Sequence, residues 1–424
     1  MALRALGLNT SSVESIAQAE ALKLRNVACI VVTETERAVH KLQGNSLVGT
    51  KVITAPKAIF ANTPTGDLPL RPYDAPPFGG HILFTSGTTG TYKKLMQKGV
   101  IEEKRNTVRA SQLLFGRDTV AHLVVFPLWT GAGFKYPPAV WHTGGCVVID
   151  QTPDKFSNFF KHKITHAFLV PSTLKALLQK YNRARGIPID QIEFILMGGF
   201  VPLKLVEQAV CDLNLKLRSH YSSTETGGII MDTHFRTKED FYWYTPVSGR
   251  TVQIVDEFGN ECPTGQEGKL RTLLTKIDCG SYLDDEEASA KVFRDGFFYP
   301  GDMAVRRADG RIRILGRTDD VVVVQGAKKA VAPIEQAIQN FLRVDEVCLF
   351  SGLNDQGHEE LVIAIQSDRD LLQSELDTVA SKFASFERVR FAILKEFPRA
   401  QLGMSKIQRS MLRKLVFNET KSLS

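Results

Sequence analysis

A chain of 424 residues, 43% hydrophobic and 23% charged, has globular composition and enough length for two or three domains with sizeable cores. Its formal charge of +7 suits polyanionic small molecules. The lysines and arginines are spread along the chain rather than gathered in a basic arm, so nucleic acid is not an expected partner. No stretch approaches the roughly 18 apolar residues of a spanning helix, and no transmembrane segment is expected.

The opening residues carry only a short apolar patch before a polar, helix-like segment, too little for a signal peptide. The last residues, Lys421-Ser422-Leu423-Ser424, do not match a peroxisomal tripeptide, so the cytoplasm is the expected location. Cys29, Cys146, Cys211, Cys262, Cys279 and Cys348 are scattered without a C-x-x-C pair, which fits free thiols in a reducing compartment.

In chain order, apolar runs at 28–33, 79–86, 121–128, 145–150, 166–172 and 194–199 predict strands. Amphipathic stretches at 174–183 and 203–213 predict helices between them. Such alternation predicts a layered α/β domain around a largely parallel sheet. From about 246 short strands and turn signals take over, with Phe258-Gly259-Asn260 and Asp309-Gly310 at hairpin positions, which predicts a small antiparallel or barrel-like subdomain. After Gly316 an α+β pattern returns. Strands are expected at 321–325, 346–351, 361–366 and 388–394, with helices near 333–342 and 370–384. A domain boundary is expected at about 316–319.

The segment 82–94 runs from an apolar strand into Thr85-Ser86-Gly87-Thr88-Thr89-Gly90, with Lys93 and Lys94 close behind. Two glycines let backbone N–H groups converge on one concavity, and hydroxyls and lysines add donors and charge, a chemistry suited to phosphate oxygens. The spacing does not fit the common P-loop. On composition alone a flexible Ser/Thr/Gly surface loop accounts for the segment equally well.

Further strings follow in a fixed order: Met197-Gly198-Gly199, then His220-Tyr221-Ser222-Ser223-Thr224-Glu225, then Tyr299-Pro300-Gly301-Asp302 through Gly316-Arg317-Thr318-Asp319-Asp320, and finally 397–409 with Lys406-Ile407-Gln408-Arg409. Together with the 85–90 loop they resemble the adenylate-forming (AMP-binding) superfamily of acyl-CoA synthetases, peptide-synthetase adenylation domains and luciferases. That resemblance implies a large N-terminal layered α/β domain with a small β-barrel-like subdomain over 1–316. A small mobile α+β lid domain over 317–424 would follow it.

The resemblance also assigns roles. Thr85, Ser86, Gly87, Thr88, Thr89, Gly90 and Lys93 (or Lys94) would hold phosphates, and Gly198 and Gly199 would border adenine and the acyl group. Tyr221 would stack on adenine with Ser222 beside it, and Thr224 would approach the α-phosphate. Glu225 would help hold Mg²⁺, a hard cation that prefers oxygen ligands. Asp302 would accept from the ribose hydroxyls, with Arg317 adding a contact to ribose or phosphate. Asp319 would be the hinge, Gly326 would border the CoA side, and Lys406 would bridge the acid and the α-phosphate. Trp129 and Phe134 are candidates for an apolar acid pocket and equally for core residues at a strand end.

The implied reaction is ATP-dependent formation of an acyl-adenylate and pyrophosphate, then transfer to CoA. The implied partners are a small carboxylic acid, ATP and CoA. Loading of a carrier-protein thiol and a non-catalytic nucleotide- or acyl-binding remnant are the alternatives. Departures from the family pattern cluster late: Val323 stands where lysine is frequent, two extra residues fall within 326–335, and Met404-Ser405 separate Gly403 from Lys406. The family also places more than a hundred residues before its phosphate loop, whereas here that loop begins at Thr85.

Overall fold

In a computed structural model of the chain the described residues are 29–33, 51–55, 79–86, 92–123, 130–149, 156, 159–181, 189–197, 201–318, 320–324, 327–353, 359–382, 389–399 and 407–419. The chain divides into two compact units, Met1–Glu102 and Glu103–Ser424.

In the first unit, β1 (Cys29–Thr33) and β2 (Lys51–Ala55) pair in parallel. A separate antiparallel pair joins β3 (His81–Ser86) to β4 (Tyr92–Gln97), with Thr85 opposite Lys93. Leu83, Phe84 and Leu95 are fully buried, so apolar residues fix the register of the two strands that flank 87–91.

The second unit begins at Glu103, in the first turn of α1 (Glu102–Leu113). Its largest sheet contains β5 (Val120–Leu123), β6 (Cys146–Ile149), β7 (His166–Leu169), β8 (Glu193–Leu196), β9 (Lys216–Tyr221), β10 (Met231–Phe235) and β11 (Thr245–Pro246). Among the described residues its order is β11-β10-β9-β8-β7-β5-β6, parallel from β6 through β9 and antiparallel beyond. Helices α2 (Gly131–His142), α3 (Pro171–Tyr181) and α4 (Leu203–Glu207) connect these strands.

Both faces of this sheet are covered, which explains the unbroken apolar runs. Ala167, Leu169, Phe194 and Leu196 pack with Leu174 and Leu178 of α3. Their neighbours Phe168 and Ile195 point the other way, against Tyr136, Ala139 and Val140 of α2 and Leu113 of α1.

Several boundaries differ from the sequence expectation, two of them beside helices of this sheet. The strand expected at 166–172 stops at Leu169, because Pro171 opens α3 at a position where its missing N–H costs nothing. Thr173 secures that start by accepting from the Val170 N–H at 2.8 Å. The helix expected over 203–213 is α-helical only through Glu207 and then widens into a π-turn over Gln208–Asp212.

Next comes an antiparallel sheet built from β12 (Val252–Val255), β13 (Glu267–Leu273), β14 (Phe293–Arg294), β15 (Phe297–Phe298), β16 (Asp302–Arg306) and β17 (Ile312–Arg317), with α5 (Glu286–Val292) between β13 and β14. Gly259 and Gly310 take positive φ at the two anticipated turns, the left-handed geometry that glycine adopts freely. Tyr244 pairs with Ile312, which ties this sheet to the larger one.

The last part holds a hairpin of β18 (Val321–Val324) and β19 (Ala327–Ala330), then α6 (Val331–Leu342). A three-stranded sheet follows, made of β20 (Glu346–Leu353), β21 (Glu359–Gln366) and β22 (Val389–Leu394). Helix α7 (Gln373–Ser381) precedes β22, and α8 (Arg409–Glu419) ends the described chain. Val347, Leu349, Ile363 and Ile365 face α6 and α7, while Cys348, Phe350, Val362 and Ala364 face α8. Period-two alternation thus places a helical layer on each side of this small sheet.

Among the described residues no helix is long and apolar enough to cross a membrane.

Candidate active site

β9 ends at Tyr221, and the chain then makes an excursion that closes where the Ile230 N–H donates to the Tyr221 carbonyl at 3.0 Å. This loop carries Ser222, Thr224 and Glu225. Opposite it, β16 and β17 pair so that Asp302 stands across from Arg317, on the same face of the sheet.

Tyr221 Oη donates to Asp302 Oδ2, and Arg317 Nη1 donates to Asp302 Oδ1 at 3.2 Å and to the Pro300 carbonyl at 2.6 Å. Burial raises the Tyr221 hydroxyl well above its usual pKa, and the neighbouring Asp302 carboxylate raises it further, so the phenol keeps its proton and acts as donor. Asp302 is itself buried and uses both oxygens in this arrangement.

Glu225 is buried, and its Oε1 accepts from Tyr282 Oη at 2.7 Å. Burial, with the Glu225 charge behind it, pushes the Tyr282 hydroxyl up, which keeps it a donor too. The Glu225 charge also reaches Tyr221, and that of Arg317 reaches Tyr282, so the two pairs share one electrostatic neighbourhood. Thr224 packs against the start of α2. A Cβ on Gly131 would stand 2.5 Å from Thr224 Oγ1, so only glycine permits that approach.

Side chains from distant elements grip the backbone of the excursion. Lys135 of α2 donates to the carbonyls of Ser223 and, at 2.5 Å, Thr226. Arg109 of α1 donates to Gly227 O at 2.7 Å. Gln112 closes a two-way bond with the Ile229 backbone, at 2.9 Å and 3.2 Å. From the other side Asp278 accepts from Gly227 N–H at 2.7 Å, and Cys279 N–H donates to Glu225 O at 2.8 Å.

Asp278 is held by Arg250 at 2.5 and 2.8 Å, with both side chains at most 3% exposed. Burial pushes the Asp278 carboxyl upward, but Arg250 and backbone N–H donors outweigh it and leave its pKa below the usual value. Burial, then the charge of Arg109, brings the Lys135 ammonium down to about 7 against the opposing pull of Cys279, Glu225 and Asp278.

Beside the loop is a small cavity lined by Arg109, Leu113, Lys135, Tyr136, Ser222 and Ile229. Tyr136 Oη and His220 Nε2 are 2.8 Å apart at its edge, and the Tyr136 ring lies 4.6 Å from that of Phe168. Burial, then the charges of Arg218 and Lys135, pulls His220 down to about 3, so the imidazole is neutral. Phe134 is half-buried on α2 and is not part of the cavity wall, which its neighbours Lys135 and Tyr136 form.

The structure therefore brings Tyr221, Asp302 and Arg317 together, with Glu225 and Tyr282 beside them. Thr85, Ser86 and Lys93 belong to the first unit, on the paired strands β3 and β4. Gly87, Thr88, Thr89, Gly90, Trp129, Gly198, Gly199, Asp319, Gly326 and Lys406 lie outside the described residues. Lys135, Arg109, Tyr136 and Tyr282 were not singled out by the sequence, and no local string marks them. Lys135 and Tyr136 stand in a Gly- and Pro-containing stretch that hides α2.

Comparison with known proteins agrees with this architecture. The sequence profile described as AMP-binding enzyme matches residues 18–272. The chain is 26% identical over 360 residues to the acyl-coenzyme A synthetase ACSM4, mitochondrial, of Rattus norvegicus, covering 78% of this chain and 60% of that protein. It is 29% identical over 268 residues to the 2-hydroxy-7-methoxy-5-methyl-1-naphthoate–CoA ligase of Streptomyces carzinostaticus, covering 60% of this chain and 47% of that one. The chain thus spans less than two thirds of the length of these curated relatives. In fold it resembles the amide bond synthetase McbA from Marinactinospora thermotolerans, with a TM-score of 0.78 at 20% identity over 97% of this chain and 84% of that structure. The chain belongs to the AMP-binding enzyme family.

Proposed function

We propose that this protein activates a carboxylic acid with ATP, forming an acyl-adenylate and pyrophosphate, and passes the acyl group to CoA. The observation that carries the reading is the joining of Tyr221, Asp302 and Arg317 beside the buried Glu225. A nucleoside entering there exchanges the Tyr221 and Arg317 contacts of Asp302 for its ribose hydroxyls, a natural use of a carboxylate's two oxygens. The freed Tyr221 ring then offers a flat face to adenine.

Among the described residues no group of three or more His, Cys, Asp or Glu side chains is placed to hold a metal. One carboxylate plus substrate phosphates nevertheless suits Mg²⁺, which keeps most of its ligands from water and nucleotide. Glu225 fits that part, since Tyr282 occupies Oε1 and orients the carboxylate. The ion supplies charge neutralisation at the phosphates when bound.

In this reading the carboxylate of the acid attacks the α-phosphorus with Thr224 alongside. Lys406 bridges the two reacting groups, and the 85–94 segment holds the outgoing phosphates. Catalysis is then positioning and charge stabilisation. For thioester formation the region from 317 onward turns about Asp319, withdrawing Lys406 and admitting the thiol past Gly326.

The test is carboxylate-dependent ATP–pyrophosphate exchange across a panel of aryl, medium-chain and branched acids, followed by CoA and carrier-protein acceptors. Exchange with at least one acid is expected, with CoA as the preferred acceptor. No exchange with any acid overturns the reading in favour of a binding remnant, and transfer only to a carrier protein corrects its second half.

A further inference from the structure

The Thr224–Glu225 loop has little regular backbone hydrogen bonding of its own, yet it must present two side chains to reacting phosphates. Its carbonyls at Ser223, Thr226 and Gly227 all accept from buried cationic side chains of two helices that lie about 90 to 120 residues earlier in the chain. Lys135 supplies two of these bonds and Arg109 the third. Arg109 also donates to the Lys135 carbonyl at 3.4 Å, which links the two helices behind the loop.

We propose that Lys135, with Arg109 behind it, is a positioning residue that holds the loop by its carbonyls and so fixes where Thr224 and Glu225 meet the nucleotide. The proposal rests on the adenylation reading for its catalytic consequence, but its structural half stands without it.

Three observations favour positioning over general support of the fold. Lys135 is 5% exposed, and an ammonium so placed destabilises the protein relative to an apolar side chain of similar length. Its bonds go to a loop rather than to a strand or helix that packing already holds. The loop is also confined from the opposite side, where the Cβ of any residue but glycine at 227 would collide with Ile277 O. The loop is thus set between α1 and α2 on one side and residues 277–279 on the other.

The experiment compares Lys135→Met with Lys135→Gln, whose amide keeps two N–H donors, in the full-length protein. Three quantities are read: amide hydrogen exchange over 223–229, pyrophosphate-exchange turnover, and the Kd for AMP. For Lys135→Met, loop exchange is expected to speed up by ~10-fold while β7 and β8 keep their protection. Turnover is expected to fall ~10–100-fold, the scale of a displaced reacting group, with AMP affinity within about threefold because Tyr221 and Asp302 are untouched. Lys135→Gln should recover part of the turnover and most of the loop protection.

Unchanged loop protection in Lys135→Met overturns the proposal. So does a parallel loss of AMP binding, turnover and sheet protection, which marks a merely structural residue. Should Lys135→Met not fold, the Gln variant decides by the same readouts. Absence of exchange activity in the wild type defeats the functional reading alone and leaves loop protection to judge the clamp.

Discussion

The excursion at 222–229 and the three-stranded layer at 346–394 are held in opposite ways. In the small layer each strand alternates between two cores, and its stability comes from apolar packing of its own residues against α6, α7 and α8. The excursion has almost no core of its own. It is held by Arg109, Gln112 and Lys135 from one direction and by Asp278 and Cys279 from another, across separations of 51 to 118 residues. A segment held from outside is sensitive to changes far from it in the chain, whereas a self-contained layer is sensitive chiefly to its own interior.

The largest effect that sets the two apart is expected at Arg250. Arg250→Met leaves the Asp278 carboxylate buried without its cation and should cost about 3–5 kcal/mol. Denaturant unfolding measures the loss, and hydrogen exchange should place it at 222–229 rather than at 346–394. Loss spread evenly over both would break the contrast. Lys406→Ala should slow adenylation by ~10²–10³, as removal of one preorganised charge-stabilising group does. Thioester formation from supplied acyl-adenylate should be spared, and equal exchange rates in mutant and wild type would sink that assignment.

Within the small layer, Glu335 holds Arg409 through two 2.7 Å bonds and accepts the Leu349 N–H at 2.6 Å. Since Arg409 is about a third exposed, Glu335→Gln should cost only about 2 kcal/mol. That loss should leave the Kd for AMP unchanged by calorimetry.

The last effect is graded and lies in pH. Lys135 titrates near 7 when folded, against 10.5 for a lysine in water, so between those values the unfolded chain binds more protons. Stability should therefore rise with pH across that window, by at most about 1.4 kcal/mol per unit from this group. The opposite end belongs to His220, depressed to about 3, whose contribution falls as pH drops below about 6.5. Between pH 7 and 9 the urea midpoint of the wild type should rise relative to that of Lys135→Met, and parallel curves would remove Lys135 from the account.

Much of the fold is legible in the sequence because buried parallel strands read as apolar runs and exposed turns read as Gly-Asn or Asp-Gly. α2 is the instructive exception. Gly131, Gly133, Pro137 and Pro138 all argue against a helix, yet Tyr136, Ala139 and Val140 bury against the sheet and tertiary packing prevails. That concealment also hid Lys135. Tyr221, Glu225, Asp302 and Arg317 stand in recognisable strings, whereas Tyr282 and Arg109 matter only through partners that the folded chain brings near. A string shows which residues meet a ligand, and nothing in it shows which residues stand behind them.

Lys175 of α3 meets Asp345, just before β20, at 2.6 Å. Both side chains are at least a third exposed, so the bond is worth under about 1 kcal/mol and weakens with salt. If the region beyond 317 turns during each cycle, this contact opens and re-forms every time. Under the proposed turn about Asp319, ionic strength then tilts the balance between the two half-reactions by no more than about fivefold, low salt favouring the state in which Lys175 and Asp345 are joined.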